Sequence, residues 1–348
     1  MTARELVTEQ DIINTYSDYD IESCKKYKQY LQLVKENPSF GYKRCAKILG
    51  VPQGRIRWWH TRTNKRGKPI PLKTVDKLKE AGFLPLTTKH KHIKEIFRIM
   101  GMLFGDGGID IRLNTLAFIS SKIEDIEIFK ENLIEIFPFV KNKINIVEGG
   151  EYGHSYNIRT FDRAAIRLFV ALGVPVGDKV STPYMPPKNI LSLSKKIRIA
   201  FLDGLISSEF SVPSWRSDNR GNYRFTNLTL GLSKIEKLEG KHITFLKSLK
   251  RLCKSVGVDT TPNIRKDFSK KTLRKDGNFS HCFRIFFRTH FHKVLFFDSV
   301  FPLIYAKDKK RRTYEQIEIA IKYKRKKQKL GKELLKVETE QSKTIHLT

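Results

Sequence analysis

The chain has 348 residues, 40% of them hydrophobic, and sets 67 Lys and Arg against 36 Asp and Glu for a formal net charge of +31. The length allows two or three domains with full cores, and the charge calls for a polyanionic partner, nucleic acid before anionic membrane. No apolar run reaches 18 residues, residues 1–9 are polar, and the four cysteines show no CxxC spacing, which argues against a membrane span, a signal peptide, a zinc site and a disulfide framework. A cytoplasmic protein with reduced thiols is expected.

Residues 1–36 carry 5 basic and 7 acidic side chains, whereas residues 37–92 carry 14 basic and 2 acidic. The positive charge begins where the pattern predicts a helix (41–49), a turn at Gly50-Val51-Pro52-Gln53 and a second helix (54–63). Cys45, Ala46, Ile48 and Leu49 are available for packing in the first, Ile56 and Trp59 in the second, and both Trp58 and Trp59 read as core. Arg55, Arg57 and Arg62 are left exposed, as in a helix-turn-helix module whose second helix meets DNA. Lys65 and Arg66 follow in a basic loop suited to phosphates. A further helix is predicted over 73–81, and residues 84–92 read as a linker. This assigns residues 1–90 to an all-α, DNA-binding domain.

The next stretch, Ile99-Met100-Gly101-Met102-Leu103-Phe104-Gly105-Asp106-Gly107, has a counterpart 103 residues on, Leu202-Asp203-Gly204-Leu205-Ile206-Ser207-Ser208-Glu209-Phe210. Each is an apolar helical run with a glycine at its third position and a carboxylate five residues later. Gly101 and Gly204 suit a close helix–helix approach. Asp106 and Glu209 would then stand as neighbouring oxygen donors able to share divalent cations, Mg²⁺ or Mn²⁺, as phosphodiester hydrolysis requires. Asp203 lies on a different helical face and reads as a surface residue or salt-bridge partner.

Strands are predicted at 109–113, 116–121, 143–147 and 156–161, with helices following at 123–136 and 163–172. The pattern restarts with a helix over 194–207, strands at 210–213 and 224–232, a helix within 235–256, and strands at 263–268 and 281–289. Ser121-Lys122-Ile123-Glu124 and Ser233-Lys234-Ile235-Glu236 repeat one tetrapeptide at corresponding strand-to-helix junctions, which supports an internal duplication. Outward strand positions, among them Arg112, Arg159, Arg224, Arg284 and Arg288, are candidates for DNA contact. A one-residue slip in register would invert that assignment. Residues 311–348 form a basic tail, frayed after 332.

The paired motifs resemble those of the LAGLIDADG homing endonucleases of the stand-alone, two-repeat, DOD type, over roughly residues 93–310. "ALGVPVGDK" and the prolines after it are similar to that family's junction between repeats, and the N-terminal region resembles helix-turn-helix modules attached to some members. The resemblance implies an α+β fold with two pseudo-symmetric αββαββα repeats (93–187 and 188–310) forming a DNA-binding saddle. It also implies metal at Asp106 and Glu209, and a basic residue beside each acid, for which Lys122 and Lys234 are the matches. The chain begins with Met rather than the Cys or Ser of an intein and lacks a terminal His-Asn, so a free-standing, monomeric double-strand DNA endonuclease is expected. The second motif departs from the pattern, ending Glu209-Phe210 without a glycine. A non-cleaving transcriptional regulator on the same fold, or an RNA-splicing maturase, are the alternatives.

Overall fold

The computed structural model describes residues 3–61, 67–149, 155–212, 215–217, 223–225, 228–287, 308–316, 318–319, 321–323, 325–326 and 328–329. It divides into two compact units, Met1–Phe201 and Leu202–Thr348. The fold is α+β, built from helices and antiparallel sheets.

The first unit opens with β1 (Glu5–Val7), α1 (Glu9–Ile13), α2 (Asp18–Glu36), α3 (Tyr42–Leu49), α4 (Gln53–Thr61), α5 (Ile70–Glu80) and β2 (Leu86–Thr87). Thr8 starts α1 with a reciprocal capping box to Asp11, and Ser17 caps α2 by accepting from the Asp20 amide. The α3–α4 turn falls where expected, with Gly50 at φ +60°, a left-handed cap that glycine adopts without steric cost. Tyr27, Tyr30 and Trp59 form an aromatic core in which Trp59 lies 5.3 Å from Tyr27 and 5.7 Å from Tyr30. Two expectations are corrected here: Trp58 is 45% exposed and Ile48 is 53% exposed. At 3.6 residues per turn, Trp58 sits beside Arg57 and Thr61 on the outer face of α4, and Ile48 falls off the face of α3 that buries Cys45 and Ala46. Residues 84–92 are no free linker either. β2 pairs with β1, Leu84 and Leu86 are buried, and Phe83 lies against Phe137 at 4.7 Å.

The same unit continues with α6 (Ile93–Phe104), β3 (Gly108–Ile109), β4 (Leu116–Ser120), α7 (Ile123–Ile136), β5 (Ile144–Glu148), β6 (Tyr156–Thr160), α8 (Arg163–Ala171) and the first turns of α9 (Lys195–Glu209). The strands form an antiparallel sheet in the order β3-β4-β6-β5. Leu116, Phe118 and Ile158 turn to the core, where Phe118 stacks on Phe129 of α7 at 4.9 Å. Phe104 at the end of α6 meets Phe201 of α9 edge to face at 5.3 Å.

Asp162 ties the N-terminal helices to this sheet. Fully buried, it caps α8 by accepting from the amides of Ala164 and Ala165 and receives Lys77 of α5 at 2.5 Å and Lys143 at 2.7 Å. Burial alone would push its carboxyl up; the hydrogen bonds from Lys143 and Lys77 outweigh that and hold it below its ordinary range.

The second unit contains the rest of α9, then β7 (Phe210–Ser211), β8 (Trp215–Ser217), β9 (Tyr223–Phe225), β10 (Thr229–Ile235), α10 (Glu239–Val256), β11 (Arg265–Leu273) and β12 (Phe279–Phe286). Its four-stranded sheet runs β7-β10-β12-β11. Numbered within each sheet in chain order, both have the order first, second, fourth, third. The hairpin β8–β9 has no counterpart in the first sheet, and it splits the single strand expected at 224–232. α10 buries Phe245, Leu246, Leu249, Leu252, Cys253 and Val256, the spacing of one helical face. His242, also on that face, is 1% exposed, stacked on Phe245 at 5.9 Å and edge-on to Phe283 at 5.2 Å. Burial, reinforced by the charge of Lys234, lowers its pKa to about 4.

Among the described residues no helix is long and apolar enough to cross a membrane, and all four cysteines are free thiols.

Replacing Asp162 by Ala should lower the unfolding free energy by about 3 kcal/mol, toward the lower end for a broken buried pair because both lysines reach solvent; urea denaturation measures it. Since the folded carboxyl titrates below the unfolded one, its contribution is complete above the unfolded pKa and is lost as pH falls through the folded value. His242 acts in a higher window. As pH falls from about 6.5 toward 4, the unfolded chain binds a proton that the folded core refuses, removing roughly 2 kcal/mol between about pH 7 and pH 5. Parallel denaturation of His242→Leu should lack that part of the slope.

Candidate functional site

Nine of the twelve residues of α6 are buried, including Gly101. Its last six residues, Ile99–Phe104, are all buried, and carbonyls at such a helix end need donors. Gly105 and Gly107 donate amides to Met102 O at 3.0 and 2.9 Å, and Gly105 also donates to Gly101 O. Gly107 leaves little room for a side chain: a Cβ there would stand 3.0 Å from Ala117 O and 3.0 Å from Leu103 Cδ2. This tight exit turns Asp106 outward, where it is exposed.

The remaining carbonyls are met by Lys179, whose Nζ donates to Gly105 O, to Gly107 O at 2.6 Å and to Leu103 O at 3.3 Å. The chain brings it there through a return segment. Gly173 ends α8, Val176 bridges Ile109 in parallel, and Gly177 donates its amide to Ile109 O at 2.8 Å. Asp106, Asp110, Thr115, Ile119, Asp178 and Lys179 line a cavity of about 670 Å³ at this corner.

The second motif helix ends the same way within its own unit. Lys309 Nζ donates to Ser207 O at 3.0 Å and Ser208 O at 2.5 Å, directly before the half-buried Glu209. Phe210 enters β7 at once and is buried. Asp203 is not a surface residue: it is fully buried. The lysines at the two acid-bearing helix ends are therefore Lys179 and Lys309. The first stands in the "ALGVPVGDK" stretch, where it read only as part of a junction; the second gave no local signal.

Lys122 and Lys234 occupy unlike settings. Lys122 is exposed at the N-cap of α7. Lys234 is 2% exposed inside β10, directly across from His281. The shared tetrapeptide diverges because β12 offers ladder partners as far as Ser280 opposite Ile235, whereas β6 stops at Tyr156 opposite Ser120.

Of the arginines expected to meet DNA, Arg57 is exposed on α4, while Arg55 is half-buried, its guanidinium 5.0 Å from the Tyr19 ring and donating to the Tyr19 hydroxyl. Arg112 is exposed in the β3–β4 connection and Arg159 on β6. Arg224 lies opposite Arg216 in the β8–β9 hairpin. Arg284 faces Gly231 and Arg265 across its neighbours and reaches Asp267 at 3.4 Å. Arg62, Lys65, Arg66 and Arg288 lie outside the described residues. Gly204 is in the second unit and Gly101 in the first.

No protein-family model matches the chain. Among curated proteins, the DNA-directed RNA polymerase subunit Rpo1N of Methanocaldococcus jannaschii is 28% identical over 227 residues, which is 62% of this chain and 16% of that protein. The tRNA-splicing ligase RtcB of Pyrococcus abyssi is 31% identical over 195 residues, 53% of this chain and 20% of that protein. The match thus spans a fifth or less of the length of these relatives. Among solved structures, the homing endonuclease I-DmoI in complex with DNA and Mn is 18% identical, covering 60% of this chain and 96% of that one with a TM-score of 0.37. The N-terminal LAGLIDADG domain of DUF199/WhiA is 12% identical, covering 65% of this chain and 88% of that one with a TM-score of 0.33.

Proposed function

We propose that the chain is a site-specific double-strand DNA endonuclease in which Asp106 and Glu209 hold divalent cation and Lys179 and Lys309 serve the same two helix ends. The observation that carries this reading is a recurrence. In each unit an acid-bearing motif helix ends in carbonyls gripped by one lysine, beside a four-stranded sheet of the same strand order. Any donor would serve as a cap; in both units the donor is an ammonium, set at the helix end that bears the acid.

The donor set suits a hard cation. Asp106 lines its cavity with oxygen alone, Asp110 accepts the amides of Asn114 and Thr115 and Asp178 that of Val180, and among the described residues no three His, Cys, Asp or Glu are grouped so as to hold a metal ion. Mg²⁺ is commonly held by one or two carboxylates with water and substrate phosphate completing its shell. Bound there, the cation would supply Lewis-acid charge to the scissile phosphate. Lys179 and Lys309 cancel the partial negative charge at the helix C-termini, which would otherwise repel a phosphate approaching the acids. Their ammonium groups also fix the carbonyls from which the acids project.

The two curated matches support a self-contained module. They cover 62% and 53% of this chain and so must overlap on it. Their names denote different activities. We assign α4, with Arg57 and Trp58 outward, as an added DNA-contacting helix. The net charge of +31 supplies the attraction.

With a divalent cation, the purified chain should cut a long duplex site. Asp106→Asn should abolish cutting and leave the dissociation constant of that site within a few-fold of wild type; a mutant that still cuts removes the metal assignment. Lys179→Met should slow single-turnover cleavage by roughly 100-fold, whereas Lys122→Met should leave it near wild type; the reverse pattern would return the role to Lys122. Tight duplex binding with no cutting by any divalent cation would favour the non-cleaving regulator, and preference for structured RNA the maturase. With about eight phosphates neutralised, log K should fall against log[salt] with a slope of about −7.

A further inference from the structure

The register of the first sheet defines what its open face offers. Ala117, Arg159 and Asn145 lie side by side in one cross-strand row, and Ile119, Asn157 and Val147 in the next. Phe118 and Ile158, from the row between, point to the core. Only one of the six outward side chains is charged. Ile119 and Val147 are 43% and 39% exposed, although both are large and apolar. Between them Asn157 holds a buried Oδ1 that has no hydrogen-bond partner. Ala117 and Ile119 also line the cavity onto which Asp106 opens, so this face adjoins the acid.

Such a surface is poorly suited to gripping phosphates, which needs cations. It is well suited to base edges in a major groove. Asn pairs bidentately with adenine, its amide oxygen accepting from N6 and its nitrogen donating to N7, and apolar side chains contact the thymine methyl. Strands β4 and β6 lie about 5 Å apart and enter a groove about 12 Å wide. Rows two residues apart are separated by about 7 Å, or two base-pair steps of about 3.4 Å.

We propose that the base pairs read by the first sheet are predominantly A·T, with Asn157 and Asn145 directed at adenine and Ile119, Val147 and Ala117 at thymine methyls. This rests on the DNA-binding reading above and adds the sequence class of the substrate. The second sheet differs. Arg284 and Arg265 stand opposite each other on adjacent strands, and arginine pairs bidentately with guanine.

The test is a binding selection from randomised duplex DNA, using full-length chain carrying Asp106→Asn so that bound DNA stays intact. The selected site should contain an A·T-dominated block. Adding Asn157→Arg should convert one or two positions of that block to G·C, and Asn157→Asp, nearly isosteric, should move the same positions toward cytosine. Discrimination at those positions should change by roughly 5- to 150-fold. A selected site in which the Asn157 variants alter positions already G·C, or alter none, overturns the proposal and leaves sequence-specific binding standing. Failure to enrich any site overturns both.

Discussion

The structure is organised by how a helix whose last turns are wholly buried can end. Every residue of α6 from Ile99 to Phe104 is buried, so its C-terminal carbonyls cannot all turn to water. Gly105 and Gly107 fold back to Met102 O, and Lys179 crosses from the segment after α8 to Leu103, Gly105 and Gly107 O. Once those positions are taken, Asp106 is the residue left to face outward. The second motif helix meets the same demand with Lys309. In both units an ammonium thereby stands at the helix end that bears the acid.

Charge is distributed differently from what a basic, DNA-facing sheet suggests. Lys247, Arg251 and Lys254 line the exposed side of α10, whose opposite side packs in the core of the second unit. The open face of the first sheet is mostly amide and apolar. That division matches two separable tasks, since long-range attraction depends on total charge while base recognition depends on shape and hydrogen-bond pattern. On the proposed reading, the bulk of the +31 charge serves affinity and the few uncharged side chains in register serve selectivity.

The N-terminal helices are joined to the first sheet by specific contacts rather than by a tether. Asp162 draws Lys77 of α5 to the start of α8, and Phe83 packs on Phe137. Arg167 of α8 places its guanidinium 3.8 Å from the ring of Tyr16 and donates to Thr15 O. These contacts bridge 54 to 152 residues of sequence, and nothing in the local pattern of residues 84–92 announced them. An apparent linker with Leu84, Leu86 and Phe83 buried is a packed strand because its partner, β1, comes from the other end of the domain.

Local chemistry determined much of this protein. The apolar period placed α6, α7, α8 and α10 within a few residues, glycines at 50 and 173 marked helix ends, and two glycine-and-acid motifs announced a repeat, because each signal depends on neighbours within a turn or two. Tertiary structure decided what depends on distant partners. The exposure of Trp58, the burial of Asp203 and Lys234, the splitting of a strand into β9 and β10, and the arrival of Lys179 and Lys309 at the ends of the motif helices all depend on which segments meet. Register made the last decision of this kind: only pairing with β6 turns Ile119 outward beside Asn157. A strand's alternation names two faces, and the fold alone says which of them meets solvent.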